Sequence, residues 1–257
     1  MCRTDRTGFG DIKVIQRKDF GYGVDAVLLA AFAAGETGAA AAYPSSKDEE
    51  GRSFVRAADL GTDCGIVAFI YTHKVAGAKV LGVEKREEAA DRARRAVSLN
   101  GMEDRVSIIT SDVADIADGN FPGEAGTFDA VLSNPPYFRK DAAIPSFSAD
   151  RYTARHETTA GIEDFARAAS LMLKRGGRFY LVHRPERLTD IFVSLRTAGL
   201  EPKELQLVSP REGEAANIAL ISAVKGGGPG LKMLCGLAVH TADNGYTQEI
   251  LRIYERQ

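Results

Sequence analysis

Short apolar runs alternate with amphipathic stretches from residue 54 onward, and the two spacings assign the elements. Runs at 54–60, 79–84, 106–110 and 128–132 read as strands, while 65–75 and 86–100 carry helical periodicity. Further along, 162–173 is helical, and Gly176-Gly177 leads into a strand at 178–183. Pro185 then opens a helix over 186–197, which Gly199 stops. Two more strands are predicted at 205–208 and 217–224, and the turn from Gly226 to Gly230 leads into a last apolar run at 231–239. Strands alternating with helices are the signature of a parallel sheet wound with helices. No helix separates the last strands, so these are expected to run antiparallel.

Upstream of the alternation, Asp25 is placed to cap a short helix over 25–32, with Gly35 as its stop. The stretch 35–53, with Pro44-Ser45-Ser46 and a charged run from Lys47 to Glu50, reads as a surface loop. The chain thus divides into an N-terminal helix-and-loop extension, 1–53, and a main domain, 54–257, forming one globular unit. The segment 138–159 has no clear periodicity, and irregular loops of that length are more often functional or mobile than decorative.

Composition changes this picture little. A length of 257 residues suits one large α/β domain that buries its core without crosslinks. Cys2, Cys64 and Cys235 are odd in number and form no C-x-x-C pair, which argues against a disulfide framework and against a zinc site. No metal is expected, and a reducing cytoplasm is the default location. The alanine-rich stretch 26–42 is too short and too interrupted to span a membrane, and no secretory signal opens the chain. Net charge is −2, but ten Lys/Arg against six Asp/Glu between Arg139 and Arg187 leave that stretch at +4, a basic face suited to a phosphate backbone or simply a solvated surface.

The candidate chemistry lies at the ends of the strands. The run at 128–132 leads into Asn134-Pro135-Pro136-Tyr137, which suits a pocket for a planar NH2 group. The Asn134 side-chain carbonyl and the Pro135 backbone carbonyl can together accept both hydrogens of an exocyclic amine. Two prolines restrict the backbone, so little ordering entropy remains, and Tyr137 offers a flat face for stacking. Taken alone, the tetrapeptide is equally a rigid turn. At the first strand-to-helix turn, the segment from Asp59 to Ile66 places glycines where the backbone can approach a ligand, without forming a phosphate-binding G-x-G-x-x-G. Glu84 ends the second strand where an acid can accept from two ribose hydroxyls; its plainer role is an ion pair with Lys85 or Arg86. Asp112, after the third strand, is placed either to accept from an adenine amino group or to cap the next helix.

In that order, the glycine turn, the two acids and the Asn-Pro-Pro-Tyr loop resemble the class I S-adenosylmethionine-dependent methyltransferases over 54 to about 223. Asp63 departs from the pattern, since such families commonly carry Gly there. Asp tolerates a positive φ less comfortably, and its charge can alter cofactor affinity. The flanks narrow the family. Phe20-Gly-Tyr-Gly-Val-Asp25, Ala154-Arg-His-Glu157, Leu181-Val-His-Arg-Pro-Glu-Arg187, Ala238-Val-His240 and Gly245-Tyr-Thr247 are similar to the bacterial tRNA(Val) adenine-37 N6-methyltransferase family.

The resemblance implies an α/β, Rossmann-like class I methyltransferase fold: a mostly parallel seven-stranded sheet, helices on both faces and an antiparallel C-terminal strand pair. It implies S-adenosyl-L-methionine as cofactor, held by Asp25, Asp59, Gly61, Thr62, Cys64, Gly65, Glu84, Lys85, Asp112, Val113 and Asn134. The catalytic loop is Asn134, Pro135, Pro136 and Tyr137, and a tRNA substrate would meet Arg139, Lys140, Arg151, Arg155 and His156. A monomer or weak dimer is expected, with no membrane association. Protein glutamine N5-methylation and ribosomal RNA guanine N2-methylation are alternative acceptor chemistries. A noncatalytic RNA-binding protein with a degenerate cofactor site is a further alternative, and Asp63 is the feature that favours it.

Overall fold

The computed structural model describes residues 2–17, 21–44, 46–47, 50–51, 53–136 and 160–256. An antiparallel hairpin, β1 (Cys2–Arg6) and β2 (Lys13–Arg17), stands first, where no strand is predicted. Asn100 anchors it: its Oδ1 accepts from the Lys13 N–H at 2.8 Å and its Nδ2 donates to the Lys13 carbonyl at 2.7 Å.

Helix α1 (Val24–Ala33) follows, with every residue from Ala26 to Ala33 buried. A helix that is apolar all round belongs inside a core, and this one packs between the sheet and a neighbouring helix. Its N-cap is Gly23, with no side-chain capping bond, so the expected Asp25 cap is corrected. The helix begins at Val24, which moves Asp25 into the first turn, where its charge still complements the helix dipole. Gly35 does stop the helix, at φ +85°. Within the stretch expected to be loop, β3 (Ser46–Lys47) and β4 (Ser53–Phe54) pair antiparallel.

The main alternation then runs β5 (Arg56–Leu60), α2 (Ile66–Lys74), β6 (Lys79–Glu84), α3 (Glu87–Leu99), β7 (Val106–Thr110), α4 (Val113–Ala117) and β8 (Phe128–Ser133). After it come α5 (Ile162–Met172), β9 (Leu173–His183), a 3-10 turn at Pro185–Arg187, α6 (Leu188–Thr197), β10 (Leu200–Arg211) and β11 (Ile218–Lys225). Short strands β12 (Lys232–Met233) and β13 (Leu237–His240) and helix α7 (Gln248–Ile253) complete the described chain.

The sheet order is β12-β10-β11-β9-β8-β5-β6-β7, with β13 also on β10. Strands β5 to β9 pair in parallel, and β11 lies antiparallel between β9 and β10, as the expected architecture requires. The last apolar run differs: β12 and β13 lie parallel to β10 rather than antiparallel. The chain reverses after β11 and lands on the far side of β10, and a strand placed so runs with β10.

One apolar layer joins α1, α2 and α3 to one face of the sheet, and a second joins α4, α5 and α6 to the other. All six residues of β8 are buried, as expected of a central strand covered on both faces. From β5 the chain winds outward to β6 and β7, then returns to β8 on the other side of β5. This reversal of strand order opens a crevice beyond the carboxyl ends of β5 and β8.

Candidate functional site

The turn after β5 is built from left-handed positions. Gly61, Asp63 and Gly65 have φ of +76°, +45° and +83°. The N–H groups of Gly61 and Thr62 both donate to the Val83 carbonyl, at 2.9 and 3.0 Å, which pins the turn to β6. Ahead of the turn, Asp59 is 1% exposed, and the Thr62 hydroxyl donates to its carboxylate at 2.6 Å. Burial raises the Asp59 carboxyl to about 7; the neighbouring charges of Glu84 and Asp63 add to the rise, and hydrogen bonds from Thr62 and the Ala68 backbone oppose it. Cys64 is buried in the same turn, and desolvation pushes its thiol up to about 12, so it packs as a neutral group.

Glu84 ends β6 with its side chain almost fully buried and three donors on it. Oε2 accepts from the Asp63 N–H at 3.0 Å, while Oε1 accepts from the backbone N–H and the Nε of Arg86, both at 3.0 Å. The Arg86 Nη2 also reaches the Asp63 carboxylate at 2.9 Å, and Arg92 lies 3.7 Å from the same oxygen. Of the two expected roles, the ion pair with Arg86 is in place, and Glu84 sits at the end of β6.

Asp112 is the N-cap of α4. Its Oδ1 accepts from the Ala114 N–H at 3.0 Å and its Oδ2 pairs with Lys85 Nζ at 2.8 Å. Val113 is the first residue of α4, where a backbone N–H has no partner within the helix. Asp25 lies in the first turn of α1 and acts electrostatically on Tyr254, whose phenol is pushed up to about 12, mainly by burial.

At the end of β8 the Ser133 hydroxyl donates to the Leu60 carbonyl at 2.8 Å, which ties the carboxyl ends of β8 and β5 together. Asn134 is next and half-buried, Pro135 is buried, and Pro136 is exposed. Beyond them opens a cleft of about 580 Å³ whose walls include Pro135, Pro136, Gly161, Arg167, His183 and Arg187. His183 accepts the Arg184 N–H on Nδ1 at 2.8 Å, which puts the ring proton of the neutral form on Nε2. Burial, with help from Arg187 and Arg184, lowers its pKa to about 4 and keeps the ring neutral near pH 7. The motif that holds His183 was visible in the sequence, but not its position on this cleft. Tyr137, Arg139, Lys140, Arg151, Arg155 and His156 lie outside the described residues.

The donor set suits an adenosine-bearing cofactor in two respects. Gly61 and Gly65 let the turn take its left-handed path at the end of β5, and Glu84 presents an oriented carboxylate at the end of β6. At both acids any further donor must share an oxygen, with Ala114 or Lys85 at Asp112 and with Asp63 or Arg86 at Glu84. Among the described residues, no group of three or more His, Cys, Asp or Glu is arranged to hold a metal ion, and no helix is long and apolar enough to cross a membrane.

The strand order, the glycine turn and the acids at successive strand ends define the Rossmann-like fold of class I methyltransferases. A solved Agrobacterium tumefaciens protein described as a predicted O-methyltransferase shares that fold at a TM-score of 0.65 and 23% identity, covering 90% of this chain and 95% of its own. The profile of the methyltransferase small domain family matches residues 46–193, and the chain belongs to that family. Porphyromonas gingivalis has a tRNA1(Val) (adenine(37)-N6)-methyltransferase that is 31% identical over 169 residues, 66% of this chain and 60% of the relative. The Bacteroides fragilis protein of the same name is 28% identical over 171 residues, 66% of this chain and 69% of the relative. The chain thus spans about 60% of the length of the first of these relatives.

Proposed function

We propose that this chain transfers a methyl group from S-adenosyl-L-methionine to the N6 amine of an adenine in tRNA, with adenine 37 of a tRNA(Val) as the acceptor. The observation that carries the reading is the placement of Asn134-Pro135-Pro136 at the carboxyl end of β8, tied through Ser133 to the end of β5 where the glycine turn begins. The similarity to relatives named for this reaction supports the choice of acceptor.

In this reading Glu84 holds the ribose hydroxyls, the turn from Gly61 to Gly65 lies along the cofactor, and Val113 offers a backbone N–H to its adenine. When bound, the cofactor supplies an electrophilic methyl carbon on a sulfonium. Asn134 Oδ1 and the Pro135 carbonyl accept the two N–H bonds of the target amine. An adenine amine is a weak nucleophile because its lone pair is delocalised into the ring, and accepting both hydrogens favours rehybridisation and aims the pair. Orientation and charge placement are therefore what these residues contribute. No strong base is needed at that step, since the amine proton can leave after transfer. Tyr137 would stack on the base, splayed from an RNA loop.

The test is transfer of labelled methyl from S-adenosylmethionine to tRNA purified from a strain lacking this gene, with nucleoside mass spectrometry of the product. N6-methyladenosine is the expected product. Transfer to protein or to ribosomal RNA instead would overturn the acceptor assignment, and cofactor binding without transfer to any acceptor would favour the RNA-binding alternative.

A further inference from the structure

Asp63 adopts a left-handed conformation at φ +45°, beside the buried carboxylate of Glu84, which accepts its N–H at 3.0 Å. Two carboxylates so close repel each other unless cations intervene. The structure supplies two: Arg86 bridges both, with Nε on Glu84 at 3.0 Å and Nη2 on Asp63 at 2.9 Å, and Arg92 lies 3.7 Å from Asp63. We propose that Arg86 is a positioning residue that presents Glu84 to the ribose of the cofactor, and that Asp63 acts through Arg86, as the countercharge holding its guanidinium on Glu84. This rests on the reading of Glu84 as the ribose acceptor given above.

The geometry carries the inference in three steps. A planar guanidinium has its donors in a fixed fork, so contacts to two carboxylates at once determine where the group sits. With Nε and the backbone N–H of Arg86 on one Glu84 oxygen and the Asp63 N–H on the other, the carboxylate cannot rotate freely. Asp is also among the few residues other than Gly that adopt a left-handed backbone at modest cost, which makes it tolerable in this turn. An acid here is therefore compensated, and the site is not degenerate on its account.

The experiment is a double-mutant cycle on the full chain, with calorimetric affinities for S-adenosylhomocysteine and for its 2′-deoxy analogue, alongside thermal denaturation. Arg86→Ala should weaken S-adenosylhomocysteine binding by about tenfold or more, the loss expected for a charge-assisted hydrogen-bond network. It should also collapse the preference for the ribo form over the 2′-deoxy form. Asp63→Gly should weaken binding about threefold alone, yet strengthen it in the Arg86→Ala background, where only Arg92, 3.7 Å from Asp63, offsets its repulsion of Glu84. Arg86→Lys, which keeps the charge without the fork, should recover less than half of the lost preference. A purely structural role would lower the melting temperature and leave the ribo-to-deoxy ratio intact. An unchanged ratio in Arg86→Ala, or additive effects of the two substitutions, would overturn this inference alone. Failure of the unmutated chain to bind S-adenosylhomocysteine would overturn both the inference and the functional reading beneath it.

Discussion

Replacing Gly65 by alanine should destabilise the protein through two separable effects. Gly65 is the N-cap of α2 at φ +83°, a backbone conformation that costs an L-residue roughly 1–2 kcal/mol. A Cβ there would also lie 2.9 Å from Phe69 Cε2 and 3.0 Å from Cζ, against the 3.5–4.0 Å of an ordinary carbon contact. Phe69 is fully buried between α2 and its neighbours, so its ring has no solvent to swing into and the surrounding core must shift, at about 1–3 kcal/mol. The sum is about 2–5 kcal/mol, which in a chain of this size lowers the melting temperature by about 4–20 °C. Gly176 provides the control: its φ is +79°, but an added Cβ meets nothing within 4 Å, so Gly176→Ala should show the backbone cost alone. Urea denaturation of both variants separates the terms, and equal destabilisation would refute the argument that Phe69 closes the space under this turn.

Asn134→Ala should abolish methyl transfer while leaving cofactor affinity within a few-fold, and equal loss of both would remove Asn134 from the role of amine acceptor. Asp59 carries a pH dependence. Its folded pKa of about 7 lies above the ordinary 3.8, so between those values the folded state keeps a proton that the unfolded chain has released. Its contribution to stability is therefore full below 3.8, declines as pH rises, and is lost above about 7. Asp59→Asn should gain stability relative to the unmutated chain between pH 5 and pH 8, and a constant difference by urea denaturation across that range would contradict the assignment. Asn100→Ala removes both hydrogen bonds to Lys13 and should cost about 1–3 kcal/mol. The hairpin β1–β2 should then be the first segment cut in limited proteolysis, and an unchanged cleavage pattern would show that other contacts hold it.

The parts of the fold legible in the sequence are those where one periodicity dominated. Strands β6 and β7 begin and end where their apolar runs do, and β8 extends its run by one residue, Ser133. The hairpin was not legible because four of the five β1 residues are exposed, and CRTDR offers no apolar face to read. Helix α7 was missed for a different reason: it has six residues, too few for a 3.6-residue period to declare itself. At the site, the sequence placed Glu84 and Asp112 at strand ends and left two roles open for each. The structure shows the Arg86 pair and the helix cap in place, because those partners are adjacent in the chain. The compensation of Asp63 could not be read, since Arg86 and Arg92 meet it only after β6 has folded alongside β5.

The burial of α1 bears on how the chain is made. This helix is translated before the strands it packs against, β9 and β11, and Ala40 just beyond it bonds to Tyr180 and Glu204. About 190 residues separate the end of α1 from the end of β11. At ~5–20 residues per second, synthesis leaves the sheet-facing side of α1 without its permanent cover for roughly 10–40 s, while α2 is made sooner and can cover the other side. During that interval the exposed apolar face of α1 makes the nascent chain prone to aggregate.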